Sequence, residues 1–137
     1  MMRILIVDDE MTNRFLLKNH LAELGEADCA EDGQVAVEAV RNALAENAPY
    51  DLICLDIEMP RKNGQQTLEE IRQAERERDV PFGDGAKVIM VSVVDDPKAI
   101  MEAFRGQCEG YIVKPLRKDK LYKEIEKIGL LNPAAEQ

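Results

Sequence analysis

The chain has no tryptophan, a single histidine (His20) and only three cysteines. Cys29, Cys54 and Cys108 are odd in number and lack the paired spacing of a zinc site. Cys54 sits inside an apolar run, where a small core residue is expected. His20 falls within a helical pattern near an apolar stripe, with no partner residue in view, so it reads as packing rather than chemistry. No apolar run approaches the ~20 residues that a membrane span needs. Met1-Met2-Arg3 leads straight into a short apolar run, so no secretory leader and a cytoplasmic location are expected. Positive charge is also scarce: 18 Lys and Arg against 27 Asp and Glu give a net charge of −9. That balance argues against nonspecific nucleic-acid binding, which requires a positive surface. There are no repeats and no low-complexity stretch.

What is present is alternation. At 137 residues the chain suits one domain, large enough to bury roughly two thirds of its unfolded surface. Short apolar runs near residues 3–7, 26–30, 52–55, 87–91 and 110–113 read as strands. Amphipathic stretches near 12–24, 34–45, 65–78, 97–106 and 118–128 read as helices, with Gly25 as a stop signal and Pro97 in a first turn. Leu52-Ile53-Cys54-Leu55 is apolar throughout, as a central strand covered on both faces would be. Strict alternation with right-handed crossovers predicts an α/β fold. It is a doubly wound, flavodoxin-like, five-stranded parallel sheet of order 2-1-3-4-5 with five helices. Residues 1–131 form the expected domain, and 132–137 a short polar tail. The segment from Glu75 to Ala86, with Pro81, Gly83 and Gly85, reads as a long solvated loop.

Polar residues of distinct chemistry close four of the predicted strands. Asp8-Asp9 follows Ile4-Leu5-Ile6-Val7, and Asp56 follows Leu55; Ser92 follows Val91, and Lys114-Pro115 follows Tyr111-Ile112-Val113. In such sheets ligands bind at the carboxyl ends of the strands. The predicted order makes strands 1 and 3 neighbours, so Asp8, Asp9 and Asp56 converge. Three close carboxylates repel, and a hard divalent cation relieves the repulsion; Mg2+ suits, since it takes few carboxylates and leaves places for phosphate oxygens. Ser92 and Lys114 supply a hydroxyl and an ammonium suited to phosphoryl oxygens. Taken singly, each has a plainer reading: Asp8-Asp9 as a helix cap, Ser92 as a cap, Lys114-Pro115 as a turn. Their joint order favours a pocket that holds a phosphoryl group on or beside an aspartate.

These motifs, with Glu10, Ile57-Glu58-Met59-Pro60 and Gly64, resemble the receiver domain of two-component response regulators over most of the chain. The resemblance implies phosphoryl transfer from a sensor histidine kinase to Asp56. It also implies Mg2+ held by Asp9, Asp56, Asp8 through water, and the backbone carbonyl of Glu58. Ser92 and Tyr111 match the switch positions and Lys114 the phosphate-contacting lysine, with a cis Lys114–Pro115 bond. A downstream target protein would be met on the face of helix 4, strand 5 and helix 5. The implied protein is not an enzyme beyond autocatalytic phosphorylation and self-dephosphorylation. It would be a free-standing, chemotaxis-type module, monomeric or weakly dimeric, with no nucleic-acid or membrane partner. Val93, Glu58 and Lys62 depart from the common pattern: Val93 as a bulkier neighbour of the switch hydroxyl, Glu58 as an extra negative charge at the rim. Lys114, Arg117, Lys118, Lys120, Lys123 and Lys127 make the last helix region basic, either as solvated side chains or as a docking surface. Two alternatives stand beside this reading: a receiver-like interaction module that is not phosphorylated, and an aspartyl-phosphate phosphatase of the haloacid-dehalogenase type.

Overall fold

A computed structural model describes residues 1–131; the expected polar tail, 132–137, lies outside the described residues. The elements are β1 (Met2–Val7), α1 (Met11–Leu21), β2 (Gly25–Ala30), α2 (Gly33–Ala45), β3 (Leu52–Asp56), α3 (Gly64–Glu77), β4 (Lys87–Ser92), α4 (Pro97–Arg105), β5 (Gly110–Val113) and α5 (Lys118–Lys127). The strands are parallel in the order β2-β1-β3-β4-β5. This is the predicted fold. Among the described residues no helix is long and apolar enough to cross a membrane.

Strand periodicity divides the core in two. Leu5, Val7, Ile53, Leu55, Val88 and Met90 point to the layer formed with α2, α3 and Ala103 of α4. Ile4, Ile6, Leu52, Cys54, Ile89 and Val91 point to the other, against Leu17 and Leu21 of α1 and Leu121 and Ile125 of α5. Successive strand side chains face opposite ways, so a strand covered on both sides must be apolar at every position. β3 is apolar from Leu52 to Leu55, and all five of its residues, including the closing Asp56, are buried.

Register then sets where the polar ends fall. Val7 pairs with Leu55, so Asp8 and Asp56 each lie one step beyond a paired position. Asp56 pairs with Val91 and Ser92 with Val113, which brings Ser92 and Lys114 to the same edge. The chemistry-bearing ends form one row because the hydrogen-bond ladder admits no half-step.

Two expectations are adjusted. Gly25 does not merely stop α1, which ends at Leu21; it opens β2 opposite Met2. A Cβ there would lie 1.9 Å from the Met2 carbonyl oxygen, so only glycine permits that approach. The expected loop at 75–86 begins later. Glu75 is a buried residue of α3 and joins a charge network with buried Arg72.

That network is dense. The Arg72 guanidinium donates to Glu75 Oε1 at 2.8 Å, to the Ala86 carbonyl at 2.8 Å, to the Gln107 carbonyl at 2.7 Å and to Glu109 Oε1 at 2.9 Å. The amides of Ala86 and Val88 donate to Glu75 and Glu109. It ties α3 to the entrances of β4 and β5. Breaking one member of a buried pair strands its partner's charge in low dielectric, at a cost of about 3–5 kcal/mol. Glu75→Ala is therefore expected to lower unfolding stability by about 3 kcal/mol in urea titration. A change within about 0.5 kcal/mol, the range of ordinary surface substitutions, would show that the network is not coupled to folding.

Candidate functional site

Asp56 ends β3 and is 3% exposed; Asp8, just past β1, is 2% exposed. Asp9 beside it is exposed to solvent. One carboxylate oxygen from each of Asp8, Asp9 and Asp56 lies within 4.8 Å of the others. Lys114 approaches from the end of β5, its Nζ 3.4 Å from Asp56 Oδ1 and 3.9 Å from Asp8 Oδ2. The Lys114–Pro115 bond is cis.

Backbone groups supply the remaining support. The Glu58 amide donates to Asp56 Oδ1 at 3.3 Å, and the Glu10 amide donates to Asp8 Oδ1 at 2.9 Å. This contact closes a local turn ahead of α1 rather than capping it, since the helix's N-cap, Glu10, has no side-chain cap bond; the other Asp8 oxygen faces Lys114. The β3–α3 loop is folded tightly against the site: a Cβ on Gly64 would lie 2.5 Å from the Asp56 carbonyl oxygen. Asn63 then caps α3 in a reciprocal pair of hydrogen bonds with Gln66.

Charge does not balance here. Burial is the main force pushing the Asp56 carboxyl up to about 6, helped by the negative charges of Asp8 and Glu58 and opposed by Lys114. Burial likewise raises Asp8, against the Glu10 amide and Lys114. One ammonium faces a cluster of acids. Closely spaced oxygen donors with a surplus of negative charge, open to solvent on the Asp9 side, fit a small hard dication.

The remaining expected residues gather at the same rim. Ser92 is fully buried; its hydroxyl donates to Glu58 Oε2 at 2.6 Å and accepts from the Val94 amide at 3.0 Å. The Val93 amide donates to Glu58 Oε1 at 3.0 Å, while the Val93 side chain is 64% exposed. Tyr111 is half-buried, and its hydroxyl donates to the Val94 carbonyl at 2.8 Å. Lys62 stands off from the acids, paired with Glu70 and with Gln34 Oε1 at 3.0 Å.

Sequence reasoning placed Glu58 at the rim as a repelling charge and missed its bonds to Ser92 and Val93. Nothing in the spacing signals them, because they join residues 34 and 35 positions apart. Arg14 was also missed; its guanidinium donates to the Asp8 carbonyl at 2.8 Å and steadies the turn after β1. An arginine one turn into α1 is the only hint the sequence offers.

The family model of the response regulator receiver domain matches residues 4–126. The chain belongs to that family. It is 35% identical to the chemotaxis protein CheY of Pseudomonas aeruginosa over 129 residues, covering 93% of this chain and 95% of that relative. Among solved structures it is similar to the CheY of a CheX–CheY–BeF3–Mg2+ complex from Borrelia burgdorferi, with TM-score 0.79 and 27% identity over 93% of this chain and 88% of that one. It is also similar to the response regulator TrrA of Thermotoga maritima in complex with Mg2+-BeF, with TM-score 0.72 and 33% identity over 93% and 99% of the two chains. The protein is thus a receiver domain of the CheY type.

A carboxyl group whose pKa is higher in the folded state favours folding while protonated and loses that contribution as pH rises through the folded value. Without divalent ions, Asp56 should therefore weaken the receiver increasingly from about pH 4 to pH 7. Asp56→Asn is expected to be more stable than the native chain at pH 7.5 in EDTA by roughly 1–3 kcal/mol. The difference should vanish toward pH 4. Urea midpoints across pH check this, and a destabilised variant at pH 7.5 would contradict the electrostatic account.

Proposed function

We propose that this receiver accepts a phosphoryl group on Asp56 from a sensor histidine kinase, with Mg2+, and signals by reversible contact with a partner protein. The observation that carries the reading is the buried Asp56 carboxylate, flanked within 4.8 Å by oxygens of Asp8 and Asp9 and faced by Lys114 at 3.4 Å. Asp9 and Asp56 would hold the metal directly, Asp8 through water, and Glu58 through its backbone carbonyl. When bound, Mg2+ supplies positive charge that draws phosphoryl oxygens into an otherwise acidic pocket.

An Asp56 carboxylate oxygen forms the new bond to phosphorus as the bond from phosphorus to the donor's imidazole nitrogen breaks. That nitrogen leaves with the electron pair. Lys114 binds an oxygen of the transferred group by a charge-assisted contact, and the Ser92 hydroxyl donates to another. Asp56 is then an acyl phosphate, and this chain's own turnover is limited to gaining and losing that group. The protein is a signalling phosphoacceptor in this reading, not an enzyme acting on an external substrate.

The output follows from the contacts of Ser92. Drawing its hydroxyl toward Asp56 disturbs the Val94 amide bond, and Val94 also holds the Tyr111 hydroxyl through its carbonyl. Tyr111 would turn inward, reshaping the face of α4, β5 and α5. The change is a shift between two populations, driven by contacts made only with the phosphorylated state.

That face borders a basic helix. Arg117 pairs with Asp119 at 3.2 Å, Lys127 with Glu124 at 3.8 Å and Lys118 with Glu23 at 3.9 Å, so part of the helix's charge is balanced within the chain. The target is a protein, because a chain of net charge −9 does not attract nucleic acid.

Incubation with acetyl phosphate and Mg2+, followed by intact mass spectrometry, is expected to show one added phosphoryl group on the native chain and none on Asp56→Asn. Lys114→Ala should slow loading by about a hundredfold, as removal of one preorganised charge does elsewhere. An unmodified native chain, or equal modification of Asp56→Asn, would refute the assignment.

A further inference from the structure

Glu58 bonds to the hydroxyl that a phosphoryl group on Asp56 would need, and to the backbone amide that follows it. Its backbone amide donates to Asp56, so its main chain belongs to the pocket floor. Its side chain turns across the rim, one oxygen receiving the Ser92 hydroxyl at 2.6 Å and the other the Val93 amide at 3.0 Å. A carboxylate with its two oxygens on a hydroxyl and an amide presents the same pattern of charge and acceptors as two phosphoryl oxygens.

We propose that the Glu58 carboxylate is a built-in competitor of the phosphoryl group, holding the Ser92 hydroxyl and the Val93 amide until phosphorylation displaces it. This deepens the phosphoacceptor reading and rests on it.

The Ser92 hydroxyl has one hydrogen, and the structure spends it on Glu58. To donate to an oxygen on Asp56, that hydrogen must leave the carboxylate. The hydroxyl–carboxylate bond is short, at 2.6 Å, and charge-assisted, though Glu58 itself is exposed at the rim. The Val93 amide cannot serve two anions along one direction. Loading Asp56 therefore exchanges two bonds for two bonds, and the drive toward the active arrangement is the difference between them. Glu58 then gives up both bonds; it already lies exposed at the rim, so its carboxylate is released directly to water.

The contact also bears on the route to Tyr111. Ser92 Oγ accepts from the Val94 amide while donating to Glu58, and Val94 holds the Tyr111 hydroxyl. Glu58 thus helps fix the β4–α4 loop in the arrangement that holds the Tyr111 hydroxyl on Val94, with the ring partly buried against the core. Releasing Glu58 and filling Asp56 act on the same loop.

The test uses the full chain, labelled with 15N and 13C, with Mg2+ and beryllofluoride as the phosphoryl probe. In the native protein the Val93 amide proton should resonate downfield before the probe is added, and the Glu58 side-chain carboxyl carbon should shift when beryllofluoride binds. Glu58→Ala should bind beryllofluoride at least tenfold more tightly by calorimetry and lack the downfield Val93 signal when free. Glu58→Asp keeps the charge but is too short to span both donors, so it should also bind more tightly than the native chain.

Equal affinity of the native chain and both variants would overturn the proposal. So would a Glu58→Asp variant that binds like the native chain beside a tighter Glu58→Ala, since that pattern means general repulsion. The native carboxyl-carbon shift requires no variant to fold, and its absence on saturation would likewise overturn the competitor role. Failure of beryllofluoride to bind the native chain and both variants would remove the phosphoacceptor reading itself and the competitor with it; the other outcomes leave that reading standing.

Discussion

The burial of two neighbouring carboxylates is the constraint on which the site depends. Asp8 and Asp56 lie out of water at adjoining strand ends, with a single ammonium between them. Burying charge without full compensation is costly, and the raised pKa of each acid measures that cost. The site is thus strained electrostatically in the direction that a dication relieves. A pocket of this kind stores its binding energy in what it lacks, namely positive charge.

Such a site needs a frame that does not yield. The two apolar layers on either side of the sheet provide it, because a shift of register by one residue would turn every core side chain to the wrong face. At the opposite edge, Arg72 gathers Glu75, Glu109 and the backbone at Ala86 and Gln107. Arg72 anchors the entrances of β4 and β5, the two strands that deliver Ser92 and Lys114. The polar end is open and responsive, and the other end is closed by a satisfied network. Glu58 adds a further element: a carboxylate already seated on the Ser92 hydroxyl, which under the proposal above makes signalling an exchange between anions.

Much of this was legible in the sequence. Period and punctuation marked five strands and five helices, and most boundaries fell within a residue or two. Departures came where tertiary contacts overrule local signals. Gly25 looked like a helix stop, but its absent side chain is required by the carbonyl of Met2 across the sheet. The predicted helix 65–78 and the predicted loop 75–86 overlapped at Glu75; the structure resolves this in favour of the helix, with Glu75 buried against Arg72. The site acids, Ser92 and Lys114 were identifiable because each ends an apolar run, and the parallel sheet aligns such ends.

Sequence alone therefore determined the fold, the edge at which the site lies, and the chemical kinds of group that meet there. These are properties of hydrophobic period and residue type, which are local and survive without coordinates. The three-dimensional arrangement decided which groups are bonded to which. It turned Glu58 from a nearby charge into the partner of Ser92 and Val93, and it joined Arg72 to Glu109 across 37 residues. Hydrogen bonds are short and directional, so their pairing depends on loop paths and side-chain torsions that no linear pattern records.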